Sequence, residues 1–190
     1  LLQSGRTVAD VLYYYGDGGY SFVRPRKAQP GLGAGYDYDV INADVLLGAL
    51  SVQSGRLVLP HGPSYAVLKL PDREDINPEV LAKIEVLVKA GATVVGRKPQ
   101  RASGLQGFPA SDAKVREIAG RLWDVSNPHH AIADRPLRDI LGEMQIPPDF
   151  VAGEALDYIH RTTPEGEVYF VRNTRADAVT TSATFRVTGK

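Results

Sequence analysis

The sequence predicts an α/β protein with a mostly parallel sheet and flanking helices, followed by a short antiparallel β segment. Three observations carry this. Short apolar, β-branched runs alternate with helical patterns over most of the chain, which is the mark of βαβ units. Hydrophobic residues make up 43% of the 190 residues, enough for a packed core. After Pro147-Pro148 the helical patterns stop and strand-like runs follow one another.

Val8 to Tyr15 (VADVLYYY) is apolar and aromatic and stops at Gly16-Asp17-Gly18-Gly19, so it reads as a buried strand entering a loop. The loop to Tyr36 is long and rich in Gly, Pro and Arg, with few apolar anchors. Loops of that length are functional or take their order from a partner surface, so trypsin should reach Arg24, Arg26 and Lys27. Val40 to Leu50 carries Ile41, Val45, Leu46 and Ala49 at helical spacing, with Asp39 or Asn42 as N-cap. Arg56–Leu59 and Tyr65–Leu70 are short strands separated by Pro60-His61-Gly62-Pro63.

Asn77 caps a helix that starts at Pro78, where a missing N–H matters little. Val80, Leu81, Ile84, Leu87 and Val88 share its apolar face, and Gly91 ends it. Ala92–Val95 is the next strand. Ser111 is placed as the cap of a helix with Val115, Ile118, Ala119 and Leu122 on one face, and Pro136–Gly142 is a shorter helix. The tail runs Ala155–Thr162, Glu167–Asn173 and Thr180–Thr188 as an antiparallel meander, with Pro164-Glu165-Gly166 as its first turn. This places an α/β domain over 1–152 and the beginning of a β-rich domain over 153–190.

Composition narrows the function classes. Twenty-two basic residues balance twenty-two acidic ones, so no basic footprint for nucleic acid exists. No apolar run approaches the ~20 residues of a membrane span. With no cysteine, disulfides, thiolate zinc sites and thiol nucleophiles are all excluded. The start at Leu1-Leu2-Gln3 and the strand pattern running to Val187 are what a fragment of a longer protein would show.

Few motifs carry chemistry. Gly31-x-Gly33-x-Gly35 lacks the preceding strand and following helix that a dinucleotide fingerprint requires. His129-His130 are adjacent and diverge in either a strand or a helix, so they read as a surface loop and not as metal ligands. Ser103-Gly104 lacks the nucleophile-elbow pattern. Glu74-Asp75 and Glu165-Glu167 sit in turn contexts and read as solvated. The chemically richest segment is Tyr36-Asp37-Tyr38-Asp39. Its rings and carboxylates, with Asn42 near, suit sugar contact by stacking and hydrogen bonding. The competing use is a helix cap with rings packed on the sheet.

The segments VADVLYYYGD, GYDYDVINADVLL, LSVQSGRLVLPHGPSYAVLKLP, PEVLAKIEVLVKAGATVVG, LDYIHRTTPEGEVYFVRN and ATFRVTG, in that order, resemble the region after the barrel in glycoside hydrolase family 106, the α-L-rhamnosidases. The resemblance is weakest over 97–135. It implies a multidomain bacterial enzyme, secreted or periplasmic, whose upstream (β/α)₈ barrel carries the acid and base carboxylates and a bound calcium. It implies that this segment is a flavodoxin-like, or class I glutaminase-like, α/β unit followed by the beginning of a β-rich domain. Glutaminase chemistry needs a cysteine nucleophile, which this chain lacks. No catalytic residue is carried over, and no metal ligand or cofactor is expected in the segment itself. The expected partners are the missing barrel and, through it, a carbohydrate; neither nucleic acid nor a membrane is expected. Tyr36, Asp37, Tyr38 and Asp39 are the candidate substrate contacts, at the carboxyl edge of the sheet if they reach the barrel's cleft. The alternative is a self-contained flavodoxin-like module for a small ligand.

Overall fold

The computed structural model describes residues 4–18, 31–60, 62–153 and 155–187. Residues 19–30, with the expected tryptic sites and the mobility expected of that loop, lie outside the described residues, as does His61.

Four strands form the parallel sheet: β1 (Val11–Tyr14), β2 (Tyr38–Ile41), β3 (Val67–Lys69) and β4 (Thr93–Val95). Their spatial order is β2-β1-β3-β4, and every neighbouring pair is parallel. A single parallel bridge from Val95 to Ile132 adds a rung beyond β4. Successive side chains on a strand face opposite sides, and the two apolar cores obey this. Leu12, Leu68 and Val94 join the core beneath α1 (Ala43–Gly48), α2 (Pro78–Lys89) and α3 (Ala110–Leu122). Val11, Val67 and Val95 join the core beneath α4 (Leu137–Glu143). Buried on both faces, the strands are short apolar runs, as parallel strands are.

Helix α2 follows its sequence signals closely. Asn77 accepts a hydrogen bond from the Glu79 N–H at 2.8 Å. Val80, Leu81, Ile84, Leu87 and Val88 are all buried. Gly91 closes the helix in the left-handed region, at φ +98°.

Other assignments change. Val40 and Ile41 belong to β2, because cross-strand pairing with Tyr13 and Tyr14 competes successfully for them. The helix starts after Asn42, whose side chain accepts from the Val45 N–H at 3.0 Å, so Asn42 is the cap and Asp39 is not. Ser111 does not cap α3 either. The helix already starts at Ala110, and the buried Ser111 hydroxyl has no partner among the described residues.

In the tail, β6 (Leu156–Thr163) and β7 (Gly166–Asn173) form the expected hairpin about Pro164-Glu165, while β5 (Phe150–Ala152) precedes them and β8 (Ala183–Phe185) follows. The meander does not continue: β8 pairs antiparallel with β5 and not with β7. The other edge of β6 is taken by Arg6–Thr7 from the start of the chain. A side chain at Gly5 would meet the Thr162 carbonyl at 2.2 Å, so this close crossing needs glycine.

Candidate functional site

A cavity of about 680 Å³ opens at the amino ends of the parallel strands. Its walls are the Arg6–Asp10 segment leading into β1, the small antiparallel sheet of Ser51–Gln53, Arg56–Val58 and Ser64–Tyr65, and Thr162 and Arg186 from the tail. Arg56 is held across that small sheet: Nε donates to the Ser64 hydroxyl at 3.0 Å and Nη2 to the Ser64 carbonyl at 2.8 Å. Asp10 is only 3% exposed. Arg186 Nη1 donates to its two carboxylate oxygens at 3.0 and 3.2 Å and to the Pro147 carbonyl at 3.0 Å. Burial pushes the Asp10 carboxyl up, and the Arg186 guanidinium only partly offsets this.

Behind Arg186 runs a polar network that starts at buried Asp149 and His160 and ends at exposed Glu167. Asp149, 1% exposed, accepts from the Tyr169 hydroxyl at 2.7 Å and faces His160 Nδ1 at 2.9 Å. His160, 3% exposed, places Nε2 at 2.8 Å from Glu167 Oε2. Glu167 also accepts from the Thr162 hydroxyl at 2.7 Å. The Tyr169 ring stacks on the imidazole, with centroids 3.9 Å apart. Ionised carboxylates only accept, so both ring nitrogens of His160 must donate, and the bonded form is the imidazolium. Burial alone would lower the His160 pKa, but the hydrogen bonds and charges of Asp149 and Glu167 outweigh it and the net shift is upward. Burial, and then the bond to Asp149, pushes the Tyr169 hydroxyl far up.

This network has no free acid or base among the described residues. Asp149 and Glu167 are engaged by His160, Asp10 is engaged by Arg186, and neither ring nitrogen of His160 is left to serve a substrate. What it does is fasten elements distant in sequence: Asp10 leads into β1, Asp149 precedes β5, His160 and Glu167 lie on the hairpin and Arg186 follows β8.

The sequence-predicted residues are split. Tyr36 is buried in the core beneath α4 and donates to the Ile146 carbonyl at 2.9 Å. Asp37 is buried, and its carbonyl receives the Asp10 N–H at 3.1 Å. Tyr38 meets Tyr13 edge to face at 5.4 Å. Asp39 accepts from the Tyr65 hydroxyl at 2.8 Å. Tyr36 and Asp37 precede β2 and Tyr38 opens it, so the segment stands at the amino end of the sheet and not at the carboxyl edge. The carboxyl edge carries Asp17 instead, which accepts from the Asn77 N–H at 2.7 Å.

Gly31, Gly33 and Gly35 all have positive φ. The Gly35 carbonyl receives the Asp149 and Phe150 N–H groups and the Tyr158 hydroxyl, and a Cβ there would lie 2.5 Å from the Phe150 carbonyl. The glycine is needed for the close passage of the tail, which has nothing to do with phosphate. His129 is exposed and His130 bonds the Asn127 carbonyl. Among the described residues no group of three or more His, Asp or Glu side chains could hold a metal ion.

Asp149, His160, Glu167, Tyr169 and Arg186 were not legible as a group; Glu167 is exposed, as expected, and is also paired with His160 and Thr162. One signal was present. Tyr158 and His160 stand two apart on a strand, which puts them on one face, and a histidine beside an aromatic on a buried face requires polar partners.

The comparisons agree with this architecture. The model of glycoside hydrolase family 106, described as alpha-L-rhamnosidase, matches residues 1–190. A protein of Formosa agariphila named "Putative beta-glucuronidase" is 36% identical over 194 residues, covering 100% of this chain and 16% of that protein. A solved structure of a rhamnosidase from Novosphingobium sp. PP1Y superposes with a TM-score of 0.86 at 30% identity, covering 100% of this chain and 19% of that one. The chain therefore spans less than a fifth of either relative's length. It belongs to glycoside hydrolase family 106, the alpha-L-rhamnosidase family.

Proposed function

We propose that this family-106 chain is a non-catalytic accessory segment of a larger glycoside hydrolase acting on rhamnose-containing glycans, and that it braces a catalytic barrel elsewhere in that protein. The observation that carries this is the carboxylate inventory of the cavity. Among the described residues only Asp10 lines it, and Arg186 holds Asp10. Glycoside hydrolysis needs two carboxyl groups flanking the bond, ~5–5.5 Å apart for retention or ~6.5–9.5 Å for inversion. The coverage of the relatives supports the same reading, since most of each one lies outside the match. Acid, base and calcium belong in this reading to the barrel, and a secreted or periplasmic location goes with it.

The α/β part, 1–152, is read as flavodoxin-like. The order β2-β1-β3-β4 with a further rung at Ile132 supports this, because flavodoxin-like sheets run 2-1-3-4-5. Residues 153–190 are read as the opening of a β-rich domain. Tyr36, Asp37, Tyr38 and Asp39 take a bracing role, since the side chains of Tyr36 and Asp39 are engaged within the chain. In the full-length protein Asp37→Ala should leave turnover unchanged. A fall in turnover at an unchanged melting temperature would return the segment to substrate contact.

The test is an assay of the purified chain on aryl rhamnosides, with the full-length protein beside it. Turnover is expected from the full-length protein alone. Turnover by the chain above the buffer rate, abolished by substituting one of its own Asp or Glu residues, would overturn the accessory reading.

A further inference from the structure

We propose that the cavity at the amino ends of the parallel strands binds a small polyhydroxylated carboxylate, either a free sugar acid or a uronic acid unit of a glycan. This goes beyond the bracing role and stands or falls independently of it. Among the described residues the cavity is lined by three arginines, Arg6, Arg56 and Arg186, and by one carboxylate, Asp10. Arg186 forms the ion pair with Asp10, which leaves the described lining with an excess of two positive charges, on Arg6 and Arg56. The Arg6 guanidinium has no hydrogen bond or ion pair among the described residues. Arg56 spends Nε and Nη2 on Ser64 and keeps Nη1 free of any such bond.

Two guanidinium groups facing one cavity with no ion-pair partner among the described residues are an unfilled charge demand. Guanidinium matches carboxylate through paired N–H donors, and this match is the stronger kind of hydrogen bond. Arg56 is already fixed by Ser64, so binding would cost it little rotamer entropy. The remaining lining supplies Thr7, Ser51, Gln53 and Thr162, whose hydroxyl and amide groups suit ligand hydroxyls. Among the described residues no aromatic ring lines the cavity, so there neutral sugars lose the stacking that usually holds them. A volume near 680 Å³ accommodates one or two sugar rings.

The experiment is a heteronuclear NMR titration of the chain with D-glucuronate, its methyl ester, D-glucose, and a disaccharide ending in glucuronate. Glucuronate should shift resonances of Arg6, Gln53, Arg56 and Ser64 saturably, and the ester and glucose should bind at least about tenfold more weakly, because the ionic pairing is gone. Tighter binding of the disaccharide than of the free acid identifies the glycan as the source. Equal binding identifies the free sugar acid. Arg6→Gln should weaken glucuronate about tenfold or more with an unchanged spectrum elsewhere, and Arg6→Lys should fall between, keeping charge without the fork. Equal binding of acid and ester, an undiminished affinity in Arg6→Gln, or no saturable binding of either acid in the millimolar range would each overturn the proposal.

Discussion

The helix-clad sheet and the seam of the tail are held together by opposite kinds of contact. Around α2 the meeting groups are apolar: Val80, Leu81, Ile84, Leu87 and Val88 fill one core with β-strand residues such as Leu68 and Val94. At the seam the buried groups are Asp10, Asp149 and His160, with the half-buried Arg186 pairing with both carboxylates. Apolar packing is non-directional and fails by degrees, in proportion to the volume removed. A buried ion pair fails abruptly, because the partner left behind is an uncompensated charge. Under substitution the sheet should therefore lose stability by degrees, while the seam requires several residues together.

That contrast can be broken by substitution. Asp149→Ala would strip His160, Tyr169 and Arg186 of a shared acceptor, and should cost about 3–5 kcal/mol as buried pairs do. Urea unfolding measures this. A cost within the surface range of about 0.5 kcal/mol would mean the seam is not a fastening. Leu87→Ala should cost about 2–5 kcal/mol through lost burial and a cavity, and an unchanged melting midpoint would deny that α2 packs on the sheet.

Acidity separates the regions further. His160 is raised in the folded chain, so its contribution is complete below the unfolded value near 6.5 and is lost as pH rises through its folded value. The groups facing it are Asp149, Glu167 and Tyr169, with Arg186 beyond Asp149. Unfolding free energy should therefore fall as pH rises from about 6.5 through that folded value, and His160→Gln should flatten the fall. Asp10, also raised, acts in a lower window: folding favours its protonated form, and that advantage is lost as pH climbs from 3.8 through its folded value. A pH profile in His160→Gln that keeps the wild-type slope would place the titration elsewhere. The smallest effect expected is at the helix cap. Asn42→Ala should cost about 0.5–2 kcal/mol by melting, and no change would mean that α1 does not depend on its cap.

The two regions were also unequally legible. Helix α2 could be read outright, because cap, Pro78, apolar spacing and Gly91 all state the same local rule. Val40 and Ile41 were misassigned because helical spacing and a short strand run are indistinguishable until β1 supplies the pairing. The β8 pairing was missed because nearest-neighbour logic extended the hairpin, whereas β5 offered the free edge. The seam was invisible for a deeper reason. Asp10 and Arg186 are separated by nearly the whole chain, and charges spaced that way look solvated until the fold brings them together. Arg6, Arg56 and Arg186 share a cavity for the same reason.

The central claim is that the tail is fastened to the α/β part by cooperating buried charges. A double-mutant cycle on unfolding free energy at pH 6, built from Asp149→Asn, His160→Gln and the double variant, tests it most directly. The seam predicts that the double variant costs less than the sum of the singles, with a coupling of about 0.5–3 kcal/mol that is smaller at pH 9 than at pH 6, because raising the pH favours the neutral imidazole. Additivity within about 0.3–0.5 kcal/mol at both pH values would contradict it.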